Sequence, residues 1–340
     1  GLYYAPDPGI TMAGYGLFGF VGNTGEVKNL NLAMLNNNSA PIQWMLGSRQ
    51  NGDGTVDYLP LGDQNYATGV VAAATQGTLS GCTVTQADLS YAITSVVSDS
   101  ATTAVGGIAG IVAGGTVKSC VFLGKLSNSS GTINTTAHRN QRVGGIVGWL
   151  RITANNATPL ANCAAGVDID IHNGSNTGSA GGVGGLVGYC SGSSATYNTN
   201  ITGCFTTGTV YAKLNAGGLV GRTDSKLLLK DSFSTVTLGS TSKNGPTADF
   251  TLNLQESIGG LIGNSNQNAT TLTNVYFAGG LLAPQFGAVA GRLNVSAANA
   301  SSLGLTNVAV DNTQAPHSLA KYSNQVINNT LLTPDWSVFT

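Results

Sequence analysis

The apolar residues of this chain recur in one short pattern, in which two glycines are followed by two aliphatic residues and a third glycine. The clear copies are VGGIAG ending at Gly110, VGGIVG at Gly148, VGGLVG at Gly188, AGGLVG at Gly221, IGGLIG at Gly263 and FGAVAG at Gly291. Two degenerate copies precede them, YGLFG at 15–19 and ATGVVAA at 67–73, so the chain holds eight units. Self-similarity of this kind is typical of repeat proteins, whose units bury a core only by stacking.

A second run follows each copy and alternates valine, threonine, isoleucine or aromatic residues with polar ones, behind a small or polar residue. These runs are VKNLNL at Leu30, GCTVT at Cys82, SCVFLGKL at Cys120, NCAAGVDIDI at Cys163, GCFTTGTVYA at Cys204, DSFSTVTL at Phe233, NVYFAGGL at Val275 and NVAV at Val308. Such alternation predicts strands. Each unit is therefore predicted to be a glycine-flanked strand, a loop and a second strand, and the chain an all-β, repetitive parallel β-solenoid, similar to a β-helix.

The glycines of the pattern are expected to serve the stacking of units. We predict that the glycine pair takes positive φ at a corner, that the missing side chains let neighbouring backbones approach, and that both aliphatic residues point into the core. A phosphate loop would need a following Lys and Ser or Thr, and a dinucleotide loop would need a helix. The pattern recurs without either, which argues against nucleotide binding.

At these residues the chain resembles the GLUG repeat family, which is named for its glycine, leucine, aliphatic and glycine core. The stretches GGLVGYC…ITGCFTTGTVYA and GGIAGIVAGGTVKSCVFLGKLS resemble full repeats, and GLFGFVGNTGEVKNLNL resembles an opening repeat. The resemblance covers residues 14–312. It implies a secreted, β-rich scaffold used in adhesion, cell-surface display or fibres, and it carries no shared catalytic residues.

Charge limits the classes of partner. Charged residues make up 9% of the chain and the formal net charge is −1, so no electrostatic surface for nucleic acid or an anionic membrane is expected. No apolar run reaches the roughly 20 residues needed to cross a bilayer. Because the chain begins at Gly1 and not at Met, we expect a processed, secreted product. A surface so poor in charge is kept soluble by Asn, Ser and Thr, by sugar, or by burial in an assembly.

Five cysteines occur, and four of them, Cys82, Cys120, Cys163 and Cys204, occupy the same slot of successive units. A stacked fold would place these four in an inward ladder, where free cysteine packs as a small hydrophobe. Alternatively, Cys190 pairs with Cys204 or with a neighbouring cysteine, as an extracellular compartment permits. Metal binding is not expected, since no C-x-x-C or His-rich spacing occurs.

Ten sequons for N-linked glycosylation are present, several of them in the variable segments between units. They lie at Asn37, Asn128, Asn134, Asn156, Asn173, Asn200, Asn268, Asn294, Asn299 and Asn328. We expect N-linked glycans at some of these sites if the source is a eukaryote.

Two stretches are candidates for other chemistry. Asn51, Asp53, Thr55 and Asp57 alternate as the oxygen ligands of a calcium loop do, although the distal Glu is missing and a hairpin turn on Asp53 and Gly54 is the favoured interpretation. Asp168 and Asp170 share one face of a strand, as catalytic carboxylates of glycosidases do, or as a polar solvent-facing row does. The histidines His138, His172 and His317 are scattered and predict no catalytic triad. We therefore expect no enzyme and no cofactor.

The two ends lie outside the repeat. Residues 1–13 are predicted to be an extension or an inter-subunit strand, and residues 313–340 a cap or docking segment, because the ends of a solenoid must be covered or paired. The sequence thus favours a non-enzymatic subunit of an extracellular or cell-surface filament that binds identical subunits head to tail. A monomeric adhesin is the alternative, and a polysaccharide-acting β-helix enzyme is the third possibility.

Overall fold

The structure is a computed structural model of the chain. It describes residues 13–34, 41–46, 59, 61, 65–93, 102–128, 141–154, 158–171, 181–192, 197–212, 215–239, 257–266, 270–282, 287–293, 303–311 and 320–323.

The described residues form three parallel sheets and no helix. The seven-stranded sheet contains β1 (Gly14–Tyr15), β6 (Tyr66–Gly69), β10 (Thr103–Gly106), β14 (Gln141–Gly144), β18 (Gly182–Gly184), β22 (Ala216–Gly217) and β26 (Ile258–Gly259). The nine-stranded sheet contains β2 (Phe18–Val21), β7 (Ala72–Thr75), β11 (Ala109–Ala113), β15 (Val147–Ile152), β19 (Val187–Gly192), β23 (Val220–Thr223), β27 (Ile262–Ser265), β29 (Ala290–Leu293) and β31 (Ala320–Ser323).

The fifteen-stranded sheet holds the remaining strands, which include the second runs predicted from the sequence. They are β3 (Glu26–Lys28), β4 (Asn31–Ala33), β5 (Ile42–Leu46), β8 (Thr78–Ser80), β9 (Thr83–Ile93), β12 (Thr116–Lys118), β13 (Val121–Asn128), β16 (Leu160–Ala161), β17 (Ala164–Ile171), β20 (Asn198–Thr202), β21 (Phe205–Ala212), β24 (Lys226–Ser234), β25 (Thr237–Gly239), β28 (Thr270–Phe277) and β30 (Leu303–Val310). The all-β class and the parallel, solenoid-like stacking of strands are as the sequence predicts.

Successive strands visit the three sheets in turn, and we call one such round a coil. Strands β10 to β13 form one coil and β14 to β17 the next, with every strand paired in parallel to its counterpart. Equivalent residues of successive units therefore lie in columns, such as Val105, Val143 and Val183. The short strands β8, β12, β16 and β20 occupy segments that the sequence analysis assigned to loops.

The glycine pattern makes two strands and not one. In VGGIAG, β10 ends at Gly106, Gly107 and Ile108 form a bend, and β11 begins at Ala109. The bend between the two sheets explains how both aliphatic residues of a copy reach the core although they are neighbours in sequence. Leu219 and Val220 are both fully buried there, as predicted.

The prediction of positive φ at the glycine pair is wrong. The described glycines with positive φ are Gly81, Gly114, Gly203 and Gly208, and none of them belongs to the pattern. Close packing is the reason for the pair instead. A Cβ on Gly145 would lie 2.2 Å from the carbonyl oxygen of Gly185, its neighbour in the next coil.

Positive φ occurs at a different corner of the coil, where the fifteen-stranded sheet bends just before the cysteine slot. The corner residues have φ between 49° and 64° and form one column, namely Asn29, Gly81, Ser119, Asn162, Gly203, Asp231, Asn274 and Asn307. Asn, Asp and Gly tolerate this left-handed conformation better than other residues. The small or polar residue before each second run in the sequence is therefore a corner residue.

The nine-stranded sheet continues beyond residue 312. Residues 320–323 form β31, which pairs with β29 through Ala290↔Ala320 and adds the last strand to the nine-stranded sheet. This strand lies within the segment 313–340 that the sequence analysis placed outside the repeat.

Candidate functional site

The seven- and nine-stranded sheets each have one face that points away from the main core, and these two faces pack on each other. A polar cluster lies between them. Glycines allow this contact, since a Cβ on Gly148 would lie 2.4 Å from the backbone nitrogen of Val105. Similarly, a Cβ on Gly182 would lie 2.9 Å from the Cβ of Arg222. The two sheets are thus close enough for side chains of one to reach those of the other.

The side chains between the two sheets change from apolar to polar along the stack. In the first coils they form a small apolar cluster that includes Ala67, Ala74, Ala104 and Ile111. Further along, the column that continues from Ile111 reads Trp149, Tyr189, Arg222, Asn264 and Arg292. We call the set Arg142, Trp149, Arg151, Tyr189, Ser191, Arg222 and Asp224 the arginine–aromatic cluster.

Arg142 of β14 is the centre of this cluster. Its guanidinium carbon lies 3.7 Å from the centroid of the Trp149 ring and 4.2 Å from that of the Tyr189 ring, within the range of cation–π contacts. The residue is only 7% exposed, and burial lowers its pKa to about 10. Within the described part of the chain, its Nε and Nη1 atoms are buried and have no hydrogen-bond partner.

The other members of the cluster are held by hydrogen bonds. Arg222 donates to both carboxylate oxygens of Asp224 at 2.8 Å, and the Tyr189 hydroxyl donates to Asp224 Oδ2 at 2.7 Å. Trp149 Nε1 donates to the Ser191 hydroxyl at 2.8 Å. Burial and then the charge of Asp224 raise the pKa of Tyr189, so the phenol stays protonated and can donate. Hydrogen bonds thus link Trp149 to Ser191 and join Tyr189, Arg222 and Asp224, whereas Nε and Nη1 of Arg142 have no partner among the described residues.

Sequence reasoning missed this cluster. The signal is the residue that directly follows the third glycine of each copy, which is Trp149, Tyr189 and Arg222 in three successive copies. Arg142 stands just before the VGG of the first of these copies. Only the packing of two sheets on each other brings these positions together.

The cysteine ladder is present, and the predicted disulfide is not. All five cysteines are buried free thiols. The Cys163 amide donates to Cys204 Sγ at 3.4 Å, and a hydrogen bond with Cys163 raises the pKa of Cys120 to about 12. Cys190 lies instead in the nine-stranded sheet between Leu150 and Thr223, and so it is in a different column from Cys204. The interpretation as core packing agrees with the structure.

Asp168 and Asp170 lie on one face of β17, both half-buried. The Thr209 hydroxyl donates to Asp168 Oδ1 at 2.6 Å. In the adjoining strands, Lys125 and Thr209 stand beside Asp168, and Ser127 stands beside Asp170. Asp168 thus lies in a row of polar residues that runs across neighbouring strands, with Lys125 on one side and Thr209 on the other.

Two sequons fall on described residues. Asn128 ends β13 and is only 3% exposed, so its amide does not suit a glycan in this fold, and occupancy of some of the other sequons stays a prediction. Asn200 is half-buried on β20. The other eight sequons, the candidate calcium loop at Asn51, Asp53, Thr55 and Asp57, and the three histidines lie outside the described residues. In the part of the chain that the structure covers, no three His, Cys, Asp or Glu residues group as metal ligands.

The described ranges include no helix with the length and apolar character needed to span a membrane. Comparison of the chain with models of protein families, with curated proteins and with solved structures found no match. The function is therefore argued from the geometry.

Proposed function

We propose that the protein is a secreted, non-enzymatic structural protein of the GLUG-repeat type, the subunit of an extracellular or cell-surface filament that assembles head to tail. In this proposal about eight units close into one solenoid, and N-linked glycans occupy sequons in the variable segments. The observation that carries the proposal is that apolar core residues are only partly buried at the two ends of the stack.

Side chains that point into the core from the fifteen-stranded sheet are less buried on its end strands than on the strands next to them. In the second coil, Leu79, Cys82 and Val84 are fully buried. Their counterparts in the first coil, Val27, Leu30 and Leu32, are only partly buried.

The same change occurs at the other end of the stack. Leu272, Val275 and Phe277 are at most 1% exposed, whereas Leu305, Val308 and Val310 on β30, the end strand of the fifteen-stranded sheet, are only partly buried. Each end therefore presents apolar side chains above a row of strand-edge backbone groups, which favours pairing with another chain.

The two ends are complementary. One column runs from Val27 through the stack to Leu305, a second from Leu30 to Val308, and a third from Leu32 to Val310. A second copy placed against β30 would continue each column with an aliphatic side chain of its own first coil. Because all strands are parallel, this contact is heterologous, and it propagates as a fibre when it does not close into a ring. The low charge of the chain, 9%, is consistent with an assembled surface.

The test blocks each end separately. Val27→Asp places a charge in the first end and Val308→Asp in the last end, and each variant is expected to remain monomeric where the unmodified chain forms filaments in negative-stain micrographs. Mixing the two variants should give dimers and nothing longer in sedimentation, since one intact pair of ends remains. Thr207→Asp, on the exposed face of a middle strand, is the matched control and should still polymerise.

Filaments of unchanged length from both end variants would reject head-to-tail assembly.

A second candidate function is a monomeric adhesin, which is favoured by exposed apolar residues on the outer face of the fifteen-stranded sheet. Phe205, 40% exposed, stacks on Phe233 with ring centroids 5.2 Å apart, and Leu123 is 47% exposed. Monomers of the unmodified chain at all concentrations would favour this second function.

A further inference from the structure

We propose that the arginine–aromatic cluster binds a ligand that carries a carboxylate, with Arg142 as the residue that pairs with it. The proposal does not depend on filament assembly. It rests on a buried charge that has no ion pair among the described residues, on the charges around it and on the shape of the groups that enclose it.

Among the described residues no carboxylate forms an ion pair with Arg142, and the charge of Asp224, which is paired with Arg222, acts on it only from a distance. The Arg142 side chain is more than nine-tenths buried, and Nε and Nη1 have no hydrogen-bond partner within the described residues. Contact with the rings of Trp149 and Tyr189 offsets only part of the cost of removing a guanidinium from water. A buried charge that is left unpaired is strongly unfavourable, and a bound anion would compensate it.

The surroundings of Arg142 are positively charged. Four of the six arginines of the chain, at positions 142, 151, 222 and 292, lie between these two sheets or along the same face of the nine-stranded sheet. Asp224 forms a two-point ion pair with Arg222 and also accepts a hydrogen bond from Tyr189, so both of its oxygens are already engaged. The sequence segments 129–140 and 172–180, which lead into β14 and β18, contain no Asp or Glu.

A carboxylate suits the cluster better than a multiply charged anion. The planar guanidinium matches the planar carboxylate in hydrogen-bond geometry. The negative charge of Asp224, which accepts a hydrogen bond from Tyr189, would repel a dianion such as phosphate more strongly than a monoanion. Trp149 is half-buried, so part of its ring is left to contact the apolar body of a ligand. The carboxylate could come from a small organic acid or from an acidic sugar, and the experiment distinguishes these two sources.

The experiment measures binding to the purified full-length chain by calorimetry, with galacturonic acid, acetate and neutral galactose as probes. Galacturonic acid or acetate is expected to bind, and galactose, which has the same ring without the acid, is not. The tighter of the two acids identifies the source of the carboxylate. Arg142→Gln should weaken that binding at least tenfold. Arg142→Lys should weaken it by less, because lysine keeps the positive charge and loses only the two-point hydrogen bonding of the guanidinium.

Lys125→Gln is the matched control, because it removes one positive charge from the fifteen-stranded sheet and should leave binding unchanged. A second readout covers the case in which Arg142→Gln does not fold: the acid should raise the melting temperature of the unmodified chain, and galactose should not. The proposal is overturned if neither acid binds, if galactose binds as tightly as the acids, or if folded Arg142→Gln binds them unchanged.

Discussion

At the scale of single residues, the glycines of the repeated pattern mark contacts between backbones. Their φ angles are ordinary, so conformational freedom does not explain them. Distance does: side-chain atoms at Gly145 or Gly148 would fall within 2.4 Å of backbone atoms of another coil or sheet. Since a backbone atom in a paired sheet cannot move aside cheaply, even alanine is destabilising at these positions.

Gly148 and Gly19 provide a matched pair for this argument, because they occupy the same column of the nine-stranded sheet. A Cβ on Gly148 meets the Val105 nitrogen at 2.4 Å, whereas a Cβ on Gly19 meets nothing within 4 Å. Gly148→Ala is expected to lower the free energy of unfolding by about 1–3 kcal/mol. Gly19→Ala should change it by less than about 0.5 kcal/mol in the same urea titration. Equal effects of the two substitutions would contradict the packing argument.

At the scale of elements, the corner before the cysteine slot sets how the fifteen-stranded sheet turns in every coil. Its residues are joined along the stack, since Asn307 Nδ2 donates to Asn274 Oδ1 at 2.9 Å and Asn274 Nδ2 donates to Asp231 Oδ1 at 2.7 Å. The leucine, cysteine, serine or valine that follows each corner residue then points into the core. A local backbone preference therefore fixes the position of the ladder.

Asn162, with φ of 54°, tests this corner. Asn162→Val is expected to lower the free energy of unfolding by about 1–2 kcal/mol, because a β-branched residue is strained in the left-handed conformation. Asn162→Gly removes the same amide but keeps the conformation accessible, and it should retain most of the stability in thermal unfolding. If the glycine variant is as destabilised as the valine variant, the side chain and not the backbone angle is what matters there.

At the scale of the whole molecule, stability is shared between neighbouring coils, as in other stacked repeats. Strands in the middle are paired on both sides, such as β17 between β13 and β21. Strand β4 at one end and strand β30 at the other are each paired on one side in the described structure. The ends should therefore open more readily than the middle, and they are also where the proposed assembly acts.

Hydrogen exchange of backbone amides measures this difference. In the monomeric variant Val308→Asp, amides of 31–33 and 303–310 are expected to exchange faster than those of 164–171. In filaments of the unmodified chain, the two end segments should gain protection, since a neighbouring subunit pairs with them, and 164–171 should change little. End segments that are equally protected in monomer and filament would show that assembly does not use these edges.

The sequence by itself determined the second runs of each unit, the inward direction of the aliphatic residues and the common column of Cys82, Cys120, Cys163 and Cys204. These properties depend on alternation within a strand and on equal position in successive units, which are local and periodic. The tertiary structure decided the rest. It placed a bend inside the glycine pattern. Glycine is required at Gly107 in this bend because a Cβ there would clash with the carbonyl oxygen of Gly145, which belongs to the next coil.

The tertiary structure also brought Arg142 against Trp149 and Tyr189, which stand on strands of a different sheet. No spacing along the chain encodes that contact, because the second faces of the two sheets meet only after the coils have stacked. Periodicity fixes which way a side chain points within its strand, and only packing fixes what it meets.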